Sequence, residues 1–481
     1  MESCFSFENK AGVLSIFLSF LAILVPITSY ANSLAISKEV NGALCLIRAD
    51  DKLLLVNEKV TKRLSLPGGL IDAGEEPFRA AEREAWEEAG LVVTAVKKLG
   101  YTDTAVIYDC QSDSEIVAFQ FENPAGGSVL PVWFAPHYGI ETNSAMLISP
   151  DKMTSEQYRF PEQWQGITAL YLGATNQASV YVDDLKLAAP IIHQHELNGL
   201  LWLKLQLESL APFFEQSLLQ GDVLVQPWAL VLLLPVLLSC AKKAVFNRFI
   251  FTLITTTLLI LVARQGFSYA PPYAYIPQLQ SFNDVGFSFP NLALGLWVSS
   301  IMVFKQAIYP RYYRKYHMVS GFIIVWILIA QYYAGMAFLS DGIVGGVIGY
   351  LVVWHLQRLE NKKSLDVDIL ISAKSTWLAL SAITLALFCI FWQVVFAQLF
   401  AVCALLTLRL FIPKKWLSGE RKLSFKSAFI GLLLIIVFSS LDKLHLTYSY
   451  SSYYSAMIEV ARYPALLIAM MLFFIPFRKS K

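Results

Sequence analysis

The chain has 481 residues, of which 56% are hydrophobic and only 15% charged, with a mean hydropathy of +0.53. That apolar share is well above that of an ordinary soluble protein, so a membrane protein is the first reading. The formal net charge of +2 supplies no overall field toward a polyanion, which excludes nucleic acid as a partner on electrostatic grounds and leaves charge to inform topology.

The N-terminal segment, residues 1–31, has a short polar start ending in Lys10, an apolar stretch over 13–25, then Pro26 and the small-residue run Ser29-Tyr30-Ala31. This is the pattern of a secretory signal or, because it carries little positive charge, of an uncleaved anchor. Either places the following segment on the side away from the cytoplasm. Residues 36–178 have the composition of a soluble domain, with short β-type runs such as 42–47, 53–56 and 116–121 around one expected helix at 76–89. Cys45 and Cys110 fall in this part, where an oxidising compartment would allow them to pair. Cys240, Cys389 and Cys403 lie in apolar runs, and the absence of a C-x-x-C pair argues against a thiolate metal site.

A leucine-rich stretch within 190–220 reads as an interfacial or linker helix. Beyond it, apolar runs long enough to cross a bilayer fall at 223–240, 249–263, 289–308, 318–338, 342–357, 376–392, 394–411, 427–441 and 457–476, about nine helices in all. Basic clusters follow alternate runs: Lys242, Lys243 and Arg248; Arg311, Arg314 and Lys315; Arg358, Lys362, Lys363 and Lys374; Arg409 to Lys422; and Arg478 to Lys481. The positive-inside rule makes those loops cytoplasmic and puts the Tyr- and Ser-rich connections at 269–287 and 447–454 outside, together with the soluble domain.

The chemistry is concentrated between Gly69 and Leu91. Gly69-Leu-Ile-Asp-Ala-Gly-Glu75 is followed, after seven residues, by Arg83-Glu-Ala-Trp-Glu-Glu-Ala-Gly-Leu91. On a helix, Glu84, Glu87 and Glu88 sit at i, i+3 and i+4, so three carboxylates share a face. They would repel one another without a cation, and hard oxygen donors suit Mg2+ or Mn2+. The alternative, a solvated acidic face, is disfavoured by the flanking glycines and Arg83. Gly68 and Gly69 permit a tight approach of backbone to phosphate and metal, Pro77 suits a first helical turn, and Gly90 is placed to end the helix.

This segment matches the Nudix family pattern G-x5-E-x7-R-E-U-x-E-E-x-G-U at each fixed residue, with Ala85 smaller than the usual aliphatic, and is preceded by Leu66-Pro67-Gly68. The resemblance implies an α+β Nudix sandwich, a mixed sheet between helices, that hydrolyses a diphosphate linkage with Mg2+ or Mn2+. It further implies Glu84, Glu87 and Glu88 as the metal and base group, Arg83 and Glu75 as the residues that orient it, and Gly68 and Gly69 at the substrate. Trp133, Phe134, Tyr158, Phe160 and Trp164 are either core or stacking surfaces for a base.

Residues 221–360 resemble the type 2 phosphatidic acid phosphatase family, whose members dephosphorylate lipid phosphates and diphosphates. Gly286-Phe-Ser-Phe-Pro290-Asn-Leu-Ala293 is similar to its P-S-G-H segment, and Gln331 through Ala337 to Asp341 to its S-R-x5-H-x3-D segment. Ala293 and Ala337 stand at the histidine positions, Gln331 at the arginine, and Arg264 with Pro271-Pro272 is the nearest match to the K-x6-R-P segment. Asp341 alone is kept, with no histidine expected beside it. Alanine cannot attack phosphorus, which makes this half a catalytically silent relative. Residues 361–481 are additional spans; their Glu459 and Arg462 are a polar site or an interfacial ion pair.

These readings give an all-α multi-pass domain behind a Nudix domain, in a bacterial inner membrane, with the hydrolase domain in the periplasm. The substrate is then a diphosphate-containing small molecule or a lipid-linked diphosphate, and membrane lipid surrounds the second half. Alternatives are a lipid diphosphate phosphatase of unusual site and a non-catalytic lipid or metabolite binder.

Overall fold

The computed structural model describes residues 40–208, 212–225, 229–230, 243–282, 285–305, 312–362, 366–411, 433–434 and 450–474. The expected signal or anchor at 1–31 lies outside these residues, as do most of the expected spans at 223–240 and 427–441.

The soluble part begins with β1 (Gly42–Leu46), β2 (Arg48–Ala49), β3 (Lys52–Glu58), β4 (Leu64–Ser65) and β5 (Gly68–Leu70), followed by α1 (Pro77–Ala89). Then come β6 (Val93–Tyr101), β7 (Ala105–Ser112), β8 (Ile116–Phe119), β9 (Ser128–Val129), β10 (Thr142–Ile148), α2 (Trp164–Tyr171), β11 (Asn176–Gln177) and β12 (Ser179–Val182). One sheet runs β5-β1-β7-β6, mixed because β1 is parallel to β7 and antiparallel to β5. A second runs β11-β2-β3-β10-β9, with β4 on β3, and β12 pairs with β8. Side-chain alternation assigns the two faces. Ala43, Cys45, Leu54, Val56, Ala145 and Leu147 share a core with α1, while Leu46, Leu53, Leu55, Met146 and Ile148 share the other with α2, Tyr158 and Trp164. Leu53, Leu54, Leu55 and Val56 are fully buried, each stabilising the fold by roughly 1.5–3 kcal/mol relative to exposure. Cys45 and Cys110 form a disulfide on the α1 side, their Cα atoms 5.7 Å apart.

The second part is helical: α3 (Ile191–Glu208), α4 (Pro212–Leu219), α5 (Asp222–Val225), α6 (Lys243–Phe267), α7 (Pro272–Tyr275), α8 (Leu292–Lys305), α9 (Tyr313–Tyr333), α10 (Leu339–Glu360), α11 (Val367–Ser372), α12 (Lys374–Phe391), α13 (Val394–Arg409) and α14 (Ser452–Phe474). Among the described residues, four helical stretches are long and apolar enough to cross a membrane: Ala244–Tyr275, Tyr313–Tyr333, Leu339–Glu360 and Lys374–Phe391. Leu292–Lys305 and Val394–Arg409 are shorter apolar helices. Glycines bring α8 and α10 into backbone contact: a Cβ on Gly349 would lie 2.1 Å from the Gly295 carbonyl oxygen, and one on Gly345 2.0 Å from that of Asn291. Such close approach brings the two backbones into extensive van der Waals contact. Arg248, on α6, pairs with Glu360 (2.7 Å) and Asp368 (2.6 Å), joining two of the basic loops expected on one side.

Candidate active site

The sequence places Gly90 where helix α1 must stop, and it adopts φ 67° there, a left-handed cap whose N–H reaches the Ala85 and Trp86 carbonyls. Ala80, Ala81, Ala85 and Ala89 are buried, and their small side chains let α1 lie close on the sheet. Glu84 and Glu88 are buried among these alanines, and Arg83 and Glu87 lie at the edge of that face. Arg83 is at the centre of the charged groups: Nε and Nη2 donate to the two Glu75 oxygens (3.0 and 3.1 Å), Nη1 to Glu84 (2.8 Å) and Glu87 (2.9 Å), and Nη2 also to the Leu70 carbonyl (3.0 Å). A planar guanidinium can satisfy this fan of acceptors; an ammonium cannot. The Arg83 contact, helped by the Asp72 N–H, holds the Glu75 carboxyl below the usual carboxylate range, and Glu75 in turn raises the Arg83 pKa further.

The three helix glutamates diverge in environment. Burial pushes the Glu84 carboxyl up, opposed by Arg83. Glu88 is equally buried and its carboxyl is pushed well up by burial, while its Oε2 accepts the Gly68 N–H at 2.9 Å and so ties the helix to β5. Glu87 faces the rim. Gly69 supplies the room: a Cβ there would lie 2.3 Å from Glu84 Oε1. Glu75, Arg83, Glu84 and Glu87 are thus one hydrogen-bonded network with Gly69 against it, Gly68 and Glu88 join behind it, and Gly90 acts at the helix end.

Two further residues belong here that the sequence reading did not select. His137 and Glu141 sit on a turn whose His137 N–H donates to the Glu87 carbonyl (2.8 Å), which docks the turn on α1. His137 Nε2 lies 4.0 Å from Glu87 Oε2, and Nδ1 lies 3.0 Å from Glu141 Oε2. The Glu141 carboxylate raises the imidazole pKa, and the imidazole lowers that of Glu141. One ligand atom each from Glu84, Glu87 and His137 fall within 4.8 Å of one another, a donor set that fits a divalent cation. The only sequence signal was a His-x3-Glu spacing before a strand.

Of the aromatic candidates, Tyr158 and Trp164 are core residues at 1% and 8% exposure, whereas Phe134 is exposed beside Trp86 of α1. A cleft of about 910 Å³ lies between the sheet domain and the helical part, walled by Asn57, Tyr138 and Asn143 on one side and Tyr273, Gln280 and Val285 on the other.

In the helical part the two phosphatase-like stretches do meet. Asn291 donates through its side-chain amide to Gln331, its N–H donates to the Asp341 carbonyl (3.0 Å), and Arg264 Nε donates to the Pro290 carbonyl (3.0 Å). Ala293 and Ala337 are buried with them. One expectation is corrected: Asp341 does have a histidine beside it, for His193 of α3 places Nε2 3.8 Å from its Oδ1. Motif spacing within α9 and α10 could not reveal a partner from a separate helix. His193 is stacked on Phe338 at 3.9 Å and edge-on to Tyr269. Glu459 and Arg462 form an ion pair (3.5 Å) that Gln398 joins from α13.

Comparison with known proteins bears on the first site. The NUDIX domain family model matches residues 38–163. The chain is 30% identical over 109 residues to an RNA pyrophosphohydrolase of Bartonella bacilliformis, spanning 23% of this chain and 59% of that relative's length. Among solved structures it is similar to an ADP-ribose pyrophosphatase from Streptococcus suis 89-1591 (22% identity, 29% of this chain and 97% of that one, TM-score 0.21). It is also similar to a MutT protein from Methanosarcina mazei Go1 (17% identity, 28% and 97%, TM-score 0.20). With the box from Gly69 to Leu91 intact and folded onto one helix and one glycine strand, residues 38–163 are a Nudix domain.

Proposed function

We propose that this chain is a membrane-bound hydrolase that cleaves a diphosphate linkage with Mg2+ or Mn2+, its Nudix domain (36–178) facing the periplasm of a bacterial inner membrane. The observation that carries the reading is the convergence of Glu84, Glu87 and His137 beside the Arg83–Glu75 pair. A divalent cation held there would neutralise phosphate charge and activate water. Glu84, Glu87 and Glu88 form the metal and base group, with His137 added to the ligands. Arg83 and Glu75 hold the carboxylates in place, Glu141 orients the imidazole, and the Gly68-Gly69 strand admits the phosphates. Glu88 has the strongest bias toward holding a proton. An imidazole donor suits Mn2+ better than Mg2+.

The topology is supported by contacts at both connections expected outside. Tyr273 meets Tyr138, Arg63 lies over the Tyr450 ring at 4.1 Å, and Ser452 donates to Glu58 at 3.1 Å. The Cys45–Cys110 disulfide favours the same oxidising compartment. Residues 190–220 link the domain to a phosphatase-like platform at 221–360 and further spans at 361–481, a half that binds membrane lipid without catalysis. Free nucleoside triphosphates are scarce outside the cytoplasm, so a lipid-linked diphosphate or a nucleotide-diphosphate derivative is the fitting substrate class.

The test is a hydrolysis screen of the purified full chain with Mg2+ and Mn2+ against UDP-glucose, ADP-ribose and a polyprenyl diphosphate. Turnover lost in Glu88→Gln and greater with Mn2+ supports the assignment. The His193–Asp341 pair favours one rival, a lipid diphosphate phosphatase in the helical half. Polyprenyl diphosphate turnover that survives Glu88→Gln and releases inorganic phosphate would establish it instead.

A further inference from the structure

The turn that carries His137 and Glu141 is not held by the Nudix domain alone. Tyr138, next to His137, places its hydroxyl 3.2 Å from that of Tyr273, and its ring 5.4 Å from Phe287. Tyr273 Oη in turn accepts the Gly286 N–H at 3.3 Å, and a Cβ on Gly139 would lie 3.4 Å from Gly286 Cα. Val285 and Phe287 pack against the same core cluster as α1. Nearby, Trp133 lies 5.0 Å from Tyr275, and the Leu185 N–H donates to the Tyr275 carbonyl at 2.9 Å. Residues 273–287 follow the apolar helix α6, so the helical half reaches directly to the rim of the metal-ligand set.

Resting on the hydrolase reading above, we propose that Tyr273 is a positioning residue for that site. Through the Tyr273–Tyr138 hydroxyl contact the membrane half fixes the backbone of the His137–Glu141 turn, and with it the third metal ligand. Tyr138 and Tyr273 are buried and also wall the cleft of about 910 Å³. An occupant of the cleft therefore touches the clamp, which couples what lies between the two halves to the geometry of His137. The Tyr- and Pro-rich segment 269–287 fits this role, for Gly286 lets it approach the turn closely and Tyr273 offers a neutral hydroxyl.

The experiment uses the full chain in detergent or nanodiscs, with Mn2+ as the probe. Tyr273→Phe keeps the ring and removes the hydroxyl. That removes the Tyr138 contact and the acceptor of the Gly286 N–H, and weakens Mn2+ binding, read by electron paramagnetic resonance, roughly fivefold. Tyr138→Phe gives a smaller loss, and the double variant shows little more than Tyr273→Phe alone, because the Tyr138–Tyr273 contact is already gone in each single variant. Where a diphosphate is turned over, kcat falls in parallel while KM is kept. Amide exchange at 137–142 rises in Tyr273→Phe. Unchanged Mn2+ affinity in Tyr273→Phe, or fully additive losses, overturns the proposal. A wild-type chain that binds no Mn2+ defeats the metal reading of the site, and amide exchange then decides the clamp by itself: faster exchange at 137–142 upholds it, unchanged exchange removes it.

Discussion

Each half of the molecule sets an imidazole beside a carboxylate, and the two pairs differ in everything around them. His137 is 29% exposed at its side chain, shares a rim with Glu84, Glu87 and Glu141, and has an arginine spanning the neighbouring carboxylates. His193 and Asp341 are 2% and 0% exposed, and the imidazole is stacked on Phe338. Asp341 Oδ2 is already engaged by the Phe338 N–H at 2.9 Å, capping the start of α10. Beside it Glu196 accepts the Ser340 N–H at 3.1 Å, docking α3 on the same helix end. On the proposed reading, similar groups serve chemistry in one place and assembly in the other. What separates them is access for a ligand and a surplus of charge that needs a cation, not the residue types.

The sharpest way to break this contrast is Glu87→Gln, which removes one charge of the ligand set while keeping shape. Diphosphate hydrolysis is expected to fall roughly a thousandfold or more, measured as kcat/KM. A variant with unchanged turnover would falsify the assignment of the rim as the active site. Arg83→Lys is next. The lysine keeps the charge but cannot serve Glu75, Glu84, Glu87 and the Leu70 carbonyl together, so kcat is expected to drop about ten- to a hundredfold with the chain still folded. Full activity would mean that the fan of hydrogen bonds is ornamental.

The smallest effect concerns the other half and is one of stability. Burial pushes the His193 imidazole down to about 4 from its ordinary value of 6.5. An unfolded chain therefore takes up a proton on this group below about 6.5, whereas the folded one does so only near 4. Between these values the unfolded state binds more protons, so stability falls as the pH is lowered, by roughly 1–3 kcal/mol once the pH is below the folded value. Asp341 of α10 and Glu196 of α3 are the carboxylates that face this part of the structure. His193→Phe should flatten the acid limb of the thermal-unfolding profile while leaving diphosphate hydrolysis within about twofold. An acid limb as steep in the variant as in the wild type would show that His193 is not the group responsible.

The contrast also marks what was legible before folding. The box from Gly69 to Leu91 could be read because its groups repeat along one helix, and the helix expected at 76–89 is found at Pro77–Ala89. The strand runs at 42–47 and 53–56 were legible from their β-branched and leucine content, and reappear as Gly42–Leu46 and Lys52–Glu58. His137 was not legible, because its place depends on a turn folding back to the Glu87 carbonyl. His193 was not, because its partner is on a separate helix with no shared pattern. Tyr158 and Trp164 were ambiguous for a different reason: an aromatic run has the same sequence whether it lines a site or fills a core. Only burial decides between them.

The contact between Ser452 and Glu58, with Tyr450 under the Arg63 guanidinium, joins residues 394 positions apart along the chain. The sheet domain is synthesised well before this connection, so the contact closes a long loop that encloses the helices between them. The sheet domain can collapse early, but its seat on the helical half is finished only when α14 is in place. Truncation just before residue 450 would leave a domain with its metal rim intact and its docking unfinished. Helix α14 thereby completes the seat of the sheet domain on the helices.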